Sequence, residues 1–280
     1  DLVTGVQTCA LPICAAFLYG QTGSFMYAEV GASLHKAGAG EWLAITGTAL
    51  VLVGLLFKVG AMPFHMWVPD VYEGAPSPVT GFLATVSKGA VFLVLMRWFV
   101  DGELYQYRGV IMAISAVAIA SMLVGNFLAL RQDNLKRILA YSSIAHFGYI
   151  LVVLVVCGKL ASSAPAAIEA GSYYLLAYVV TTLGAVALIS VLSSESSQER
   201  DELGDIVGLF WRRPLLALGF TIALLSLAGI PLTAGFIGKF YVFKLGADAG
   251  LWYLLGAVVV GSGLGIFYYL RLVYNMTKNP

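Results

Sequence analysis

Seven stretches of this chain are apolar almost without interruption: Leu43–Phe64, Val79–Phe99, Val110–Leu130, Leu135–Cys157, Ile168–Leu192, Pro214–Phe243 and Leu251–Met276. Each reaches the roughly 20 residues that a helix needs to cross a bilayer core about 30 Å thick. Continuous runs of this length argue for helices rather than barrel strands, whose apolar residues alternate with polar ones. Only 11% of the residues are charged, against about 25% in an ordinary soluble domain. So few charges cannot cover the surface of a soluble protein of this size. Disorder requires the opposite composition. The net charge is +1 and no basic stripe occurs, so nucleic acid is not an expected partner. The fold class this predicts is all-α: a polytopic transmembrane bundle of about seven helices.

Cys9, Cys14 and Cys157 have neither metal-site nor redox spacing. No Walker loop, no GxGxxG after a strand and no HExxH occurs. Residues 1–14 are expected to be a non-native or disordered leader. Within them, Asp1–Ile13 (DLVTGVQTCALPI) resembles translated sequencing-adapter read-through, and Ala15–Tyr19 reads as the stub of an earlier helix.

Most charges lie in the joints. Arg131, Lys136 and Arg137 follow the third run, Arg200, Arg212 and Arg213 the fifth, and Lys278 the last. If the helices alternate, these share one side, which the positive-inside rule makes cytoplasmic. Ser193–Asp205 reads as a solvated polar loop, and Glu73–Pro78 (EGAPSP) as a sharp helix connection.

The informative charges lie inside the runs. Lys88 sits near the middle of Val79–Phe99, where a cation costs about 2.5–3.5 kcal/mol on insertion scales. It reads as an inward-facing ion or proton site, or else as a structural lysine paired to a neighbouring helix. Lys58 precedes Gly60 and Pro63, which predict a break in the helix; the alternative is a lysine snorkelling from a helix end. Lys239 follows a second break, at Gly229, Pro231 and Gly235, and could instead simply end its helix beside Lys244. Broken helices beside ionisable groups are a recurring transporter device. His146 lies within Leu135–Cys157 among the hydroxyls of Tyr141, Ser142 and Ser143, as a proton relay or as a hydrogen-bonded structural histidine. His65 falls in the turn after the first break and His35 in a loop, while Tyr173, Tyr174 and the tryptophans read as packing and interface anchors.

Lys58–Lys88 (KVGAMPFHMWVPDVYEGAPSPVTGFLATVSK) closely resembles the signature of the N-type antiporter-like membrane subunits of NADH-quinone oxidoreductase, respiratory complex I. GNFLALRQDNLKRILAYSSIAHFGY and SLAGIPLTAGFIGKFYVF agree with it, and the likeness runs from Ala15 to the end. The related L- and M-type subunits and Mrp-type cation/proton antiporters share the PFHxWxPD core but differ in the turn that follows. The resemblance implies an antiporter-like inverted-repeat fold with two broken helices, and residues 15–280 as one partial proton-conducting transporter domain, truncated at both ends. It implies a proton path through Lys58, Lys88 and Lys239, with His146 on the same polar axis. Lys58 would pair with a glutamate two helices upstream, outside this sequence; Lys88 would be the central carrier and Lys239 the exit-side carrier. No cofactor is expected on the chain, since NADH, FMN, Fe–S clusters and quinone belong to other subunits. The implied partners are antiporter-like subunit M and subunit K, lipid and protons, in a bacterial inner membrane. A free-standing Mrp-type antiporter subunit is the alternative. A scaffold whose buried lysines form static ion pairs is a third reading.

Overall fold

The computed structural model describes residues 2–36, 42–159, 164–193 and 200–279, with the backbone alone for 2–11, 33–36, 42–44 and 164. Among them the regular elements are helices: α1 Leu2–Thr22, α2 Tyr27–Lys36, α3 Trp42–Val59, α4 Trp67–Gly74, α5 Ser77–Phe82, α6 Lys88–Asp101, α7 Arg108–Ala129, α8 Leu135–Lys159, α9 Ala164–Ser193, α10 Leu209–Arg212, α11 Pro214–Ala228, α12 Ala234–Asp248 and α13 Trp252–Thr277. A π-helical turn, Leu83–Ser87, fuses α5 and α6 into one span.

Among the described residues, five continuous helices are long and apolar enough to cross a membrane: Ser77–Asp101, Arg108–Ala129, Leu135–Lys159, Pro165–Ser193 and Trp252–Thr277. Of the remaining two expected runs, Leu43–Phe64 ends early as α3, with α4 beyond the break, and Pro214–Phe243 is divided between α11 and α12. The protein is therefore a multi-pass membrane protein, with both breaks where the Gly–Pro pattern predicts them. The expected leader boundary at residue 14 falls inside α1, and His35, read as a loop residue, lies in α2.

The radial distribution is inverted relative to a soluble protein. Leu176, Val180, Ile222, Val259 and Phe267 point outward, while Lys88, Asn126, Ser143 and His146 are buried. An apolar exterior suits lipid. The polar interior has to satisfy its own hydrogen bonds, because hydrocarbon offers none.

α8 is the hub. All of it except Arg137, Tyr141, Gly158 and Lys159 is buried, and it packs on α4, α7, α9, α12 and α13. Its closest neighbour is α7. A Cβ on Gly125 would lie 2.9 Å from the Ala145 nitrogen, and one on Gly148 would lie 2.9 Å from the Ala118 oxygen. These two glycines let the backbones approach as small residues do in membrane interfaces. Gly256 on α13, by contrast, has nothing within 4 Å of a Cβ position.

Gly148→Ala should therefore overpack the α7–α8 contact, at a cost of about 1–3 kcal/mol. Gly256→Ala should be neutral or mildly stabilising, since Ala favours helix. Thermal unfolding of the two full-length variants in detergent would separate them; equal midpoints would contradict this packing.

Candidate functional site

Both breaks are built from local sequence. At the first, Gly60 takes a left-handed φ of 75° and ends α3. The Trp67 indole donates to the Phe57 oxygen at 3.0 Å, and Ser121 on α7 accepts from the Met62 nitrogen at 2.9 Å. The groups freed by the break are thus met by side chains. At the second, Gly229 takes φ 80°, and Thr233 caps α12 by accepting from the Phe236 nitrogen.

Lys239 lies one turn into α12 and reaches back over its own break. Its ammonium donates to the carbonyl oxygens of Leu227, at 3.1 Å, and Ala228, at 2.9 Å, and stands 5.1 Å from the centre of the Tyr149 ring. These carbonyls belong to the last turn of α11, the negative end of its dipole, so the cation meets complementary charge. The amine is packed against Gly229, where a Cβ would fall 3.2 Å from Nζ. Lys239 is thus held inside the bundle and does not simply terminate a helix beside Lys244.

Lys88 arrives at the first break from the neighbouring span. It is 1% exposed and donates to Ser143 Oγ at 2.7 Å, with Nζ over the rings of Tyr72 and Phe147 at 5.2 and 5.6 Å. A Cβ on Gly60 would lie 3.5 Å from that Nζ. The π turn immediately before Lys88 leaves its carbonyls irregularly paired, and the Tyr178 hydroxyl donates to one of them, Ala84 O, at 3.1 Å. Such π turns are frequent at functional positions.

Between the lysines lies His146, 3% exposed. Its Nδ1 is 2.9 Å from the Tyr174 hydroxyl and its Nε2 3.3 Å from that of Tyr269. Tyr269 also bonds Ser142, and the Tyr178 ring lies tilted 5.3 Å from the imidazole, centre to centre. Tyr268 lies 4.4 Å from Tyr269 and donates to Asn126, which donates to Tyr149 beneath Lys239. Hydroxyls, one imidazole and one amide thus fill the interval from Lys88 to Lys239.

Lys58 stands apart from this group. It is half-buried in the last turn of α3, where a cation complements the helix dipole. Among the described residues it makes no hydrogen bond or ion pair. The fold therefore brings together Lys88, His146 and Lys239, and leaves Lys58 at the mouth of the first break. The tyrosines are what the sequence reading missed. Tyr174, read as a packing anchor, bonds His146, whereas Tyr173 packs edge-on against Tyr241. The available signal was hydroxyls at helical spacing inside apolar runs, Tyr174 with Tyr178 and Ser142 with His146. His65 is buried in its turn, with Nδ1 3.3 Å from the Pro63 oxygen. No group of three or more His, Cys, Asp or Glu among the described residues could hold a metal ion.

A polar clamp fixes one end of the bundle. Arg137 donates to Glu73 at 2.6 Å and Asp70 at 2.9 Å, while buried Lys136 donates to the oxygens of Ala75, at 2.8 Å, and Glu73, at 3.3 Å. This explains the PDVYEGAP turn: its acids and carbonyls are ligands for the first turn of α8. Lys136 also faces Asp201 at 3.8 Å, and Asn134 forms a bridge with Glu202. Residues 201–203 are therefore docked on the α7–α8 joint and do not wave in solvent as expected; 194–199, the rest of that loop, lie outside the described residues. Arg271 on α13 bonds Gln132 O and faces Asp133 at 3.6 Å.

A family profile described as "NADH:quinone oxidoreductase/Mrp antiporter, TM" matches residues 2–265. Among curated relatives, NADH-quinone oxidoreductase subunit N of Ectopseudomonas mendocina is 50% identical over 93% of this chain and 51% of its own length. The same-named protein of Methylococcus capsulatus is 47% identical over 99% of this chain and 55% of its own. The chain thus spans about half the length of the curated relatives it matches. A chain of respiratory complex I from Thermus thermophilus superposes with a TM-score of 0.80 at 37% identity, over all of this chain and 58% of that one. A chain of the Mrp complex from Dietzia superposes with a TM-score of 0.85 at 26% identity, over 99% and 50%.

Lys136→Met should destabilise the protein by about 3–5 kcal/mol, because it strands buried acceptors and Asp201. Arg137→Ala, whose carboxylate partners are largely exposed, should cost about 1 kcal/mol or less. Unfolding midpoints of the two full-length variants check the order.

Proposed function

The chain belongs to the transmembrane family shared by NADH:quinone oxidoreductase and the Mrp antiporters, and from that premise we propose that it carries protons as part of a subunit N. In this reading it couples NADH-to-quinone electron transfer, performed elsewhere in the complex, to proton transport. The single observation that carries it is the buried polar axis. Lys88, Ser143, Tyr178, His146, Tyr174, Tyr269 and Lys239 lie inside a bundle whose exterior is apolar. Static support for a membrane arm needs no such groups, and each one is costly to bury without a partner.

The chemistry follows from the partners. Lys88 can hold a proton on an amine whose bonded neighbour is one hydroxyl, and Lys239 on an amine gripped by two carbonyls. Hydroxyls and imidazole both donate and accept, so they can pass a proton by exchanging roles. Carrying one proton against 100 mV requires about 2.3 kcal/mol. A charge-assisted hydrogen bond is worth about 1.5–3 kcal/mol. Making or breaking one such bond is therefore on the scale of the work to be done.

In detail, Lys88 is the central carrier, Lys239 the exit-side carrier, His146 the relay between them, and Lys58 the modulated member of a pair with a glutamate in another part of the subunit. Residues 15–280 form the partial proton-conducting domain. Subunits M and K are its neighbours, and NADH, FMN, Fe–S clusters and quinone are held by other subunits. The membrane is the bacterial inner membrane, with the Arg137 end facing the cytoplasm.

The high structural similarity to a chain of an Mrp complex supports a second reading, a cation/proton antiporter subunit without electron transfer. Copurification separates the two: a large NADH-oxidising assembly supports the first, a small antiporter complex the second. Lys88→Met in the full-length subunit, within the assembled complex, should lower NADH-driven proton pumping by about tenfold or more. Normal pumping in that variant would overturn the assignment.

A further inference from the structure

Asn126, on α7, is the one amide in the axis. It is 1% exposed, and both its nitrogen and its oxygen are engaged by named groups. Nδ2 lies 2.6 Å from the Met122 oxygen and 2.9 Å from the Tyr149 hydroxyl, and Oδ1 lies 3.1 Å from the Tyr268 hydroxyl.

These three contacts fix the direction of every bond. A main-chain carbonyl only accepts, so the amide atom facing Met122 O has to be the nitrogen. The oxygen then faces Tyr268, whose hydroxyl has to donate to it. The second hydrogen of the nitrogen points at Tyr149, whose oxygen has to accept. Donation therefore runs one way, from Tyr268 through Asn126 to Tyr149. A primary amide cannot pass the proton on, because neither its nitrogen nor its oxygen exchanges protons as a hydroxyl or imidazole does.

The place of this amide is specific. On one side, Tyr268 lies against Tyr269, which bonds His146 and Ser142. On the other, the Tyr149 ring lies beneath Lys239. The surrounding backbone is shaped for it. A Cβ on Gly261 of α13 would fall 2.8 Å from Tyr149 Oη and 3.1 Å from Asn126 Nδ2. One turn on, a Cβ at Gly265 would fall 3.3 Å from Oδ1. The titratable groups packed on this neighbourhood are Tyr149 and His146 from α8, Tyr268 and Tyr269 from α13, Tyr174 from α9 and Lys239 from α12.

We infer that Asn126 is a positioning residue that sets the hydrogen-bond direction of Tyr149 and Tyr268 and insulates the His146 end of the axis from the Lys239 end along this branch. The inference rests on the proton-carrying role proposed above. On this view, exchange between the two ends has to use another branch, such as the Tyr174 side of His146, while the Asn126 branch holds Tyr149 still beneath Lys239.

The test uses three variants of the full-length subunit in the assembled complex. Each is scored by protons pumped per NADH oxidised, across the neutral pH range. Asn126→Leu removes both phenol bonds and should lower the ratio by about fivefold, the factor that one hydrogen bond of ordinary net strength sets. Asn126→Asp keeps the shape but puts a proton-exchanging carboxyl in the insulating position. It should change the pH profile of the ratio, which a purely structural role would not do. Lys239→Met is the control for the proton-carrying role itself. If Lys239→Met pumps normally, that role fails. If Lys239→Met is defective while Asn126→Asp keeps the wild-type ratio and profile, the role stands and the inference about Asn126 is overturned. The same holds if Asn126→Leu assembles and pumps as wild type.

Discussion

An amine placed in hydrocarbon has nowhere to direct its hydrogens unless the protein supplies acceptors, and a regular helix has none to spare. Every interior carbonyl of a helix is already bonded to an amide four residues on. Acceptors become free only where a helix stops, unwinds or widens. Much of this bundle follows from that constraint. Lys239 is held by the terminal carbonyls of α11 because the chain breaks at Gly229. Lys88 lies beside the break at Gly60 and directly after a π turn. Left-handed glycines stand at both breaks; a Cβ would run into the Lys239 side chain at Gly229 and into Val68 at Gly60, with the Lys88 amine 3.5 Å away. At the second break the interrupted helix itself supplies the acceptors, whereas Lys88 beside the first break is met by the Ser143 hydroxyl of α8.

The second element that organises the molecule is α8. A helix buried on all faces cannot be amphipathic, and α8 carries its polar residues as a thin stripe: Ser142, Ser143, His146 and Tyr149. Its side-chain partners Lys88, Asn126, Tyr174 and Tyr269 come from α6, α7, α9 and α13. The axis is thus assembled by tertiary packing around a single core strut. The glycines that bring α7 against this strut also bring Asn126 within reach of Tyr149.

How much of this was legible beforehand depended on whether a residue announced itself within its own segment. The spans and both breaks were legible because apolar length and Gly–Pro patterns act locally. Lys88 and Lys239 were legible because a cation in an apolar run is an anomaly whatever surrounds it. Tyr174, Tyr178, Tyr268 and Asn126 were not. A tyrosine in an apolar run is unremarkable by composition, and whether its hydroxyl meets lipid headgroups, backbone or a histidine is decided by helices distant in sequence. The joints misled in the opposite direction. Lys136 and Arg137 read as loop charges that set orientation, and Asp201 as part of a solvated loop, yet together with the acids of α4 they form a clamp.

That clamp has a bearing on how the chain is made. α8 is apolar enough to enter a bilayer as an independent helix, exposed to lipid on every side, yet in the finished bundle it is walled in. During synthesis the partners of its two leading cations do not emerge together. Asp70 and Glu73 leave the ribosome well before Arg137, so that ion pair can close as soon as α8 is in place. Asp201 follows only after α9 has been made, so the environment of Lys136 is completed late. The same two side chains that tether a nascent helix to one face of the membrane are later drawn into the folded protein, one early and one at closure. The order in which this end of the bundle sets is therefore written into the order of the residues along the chain.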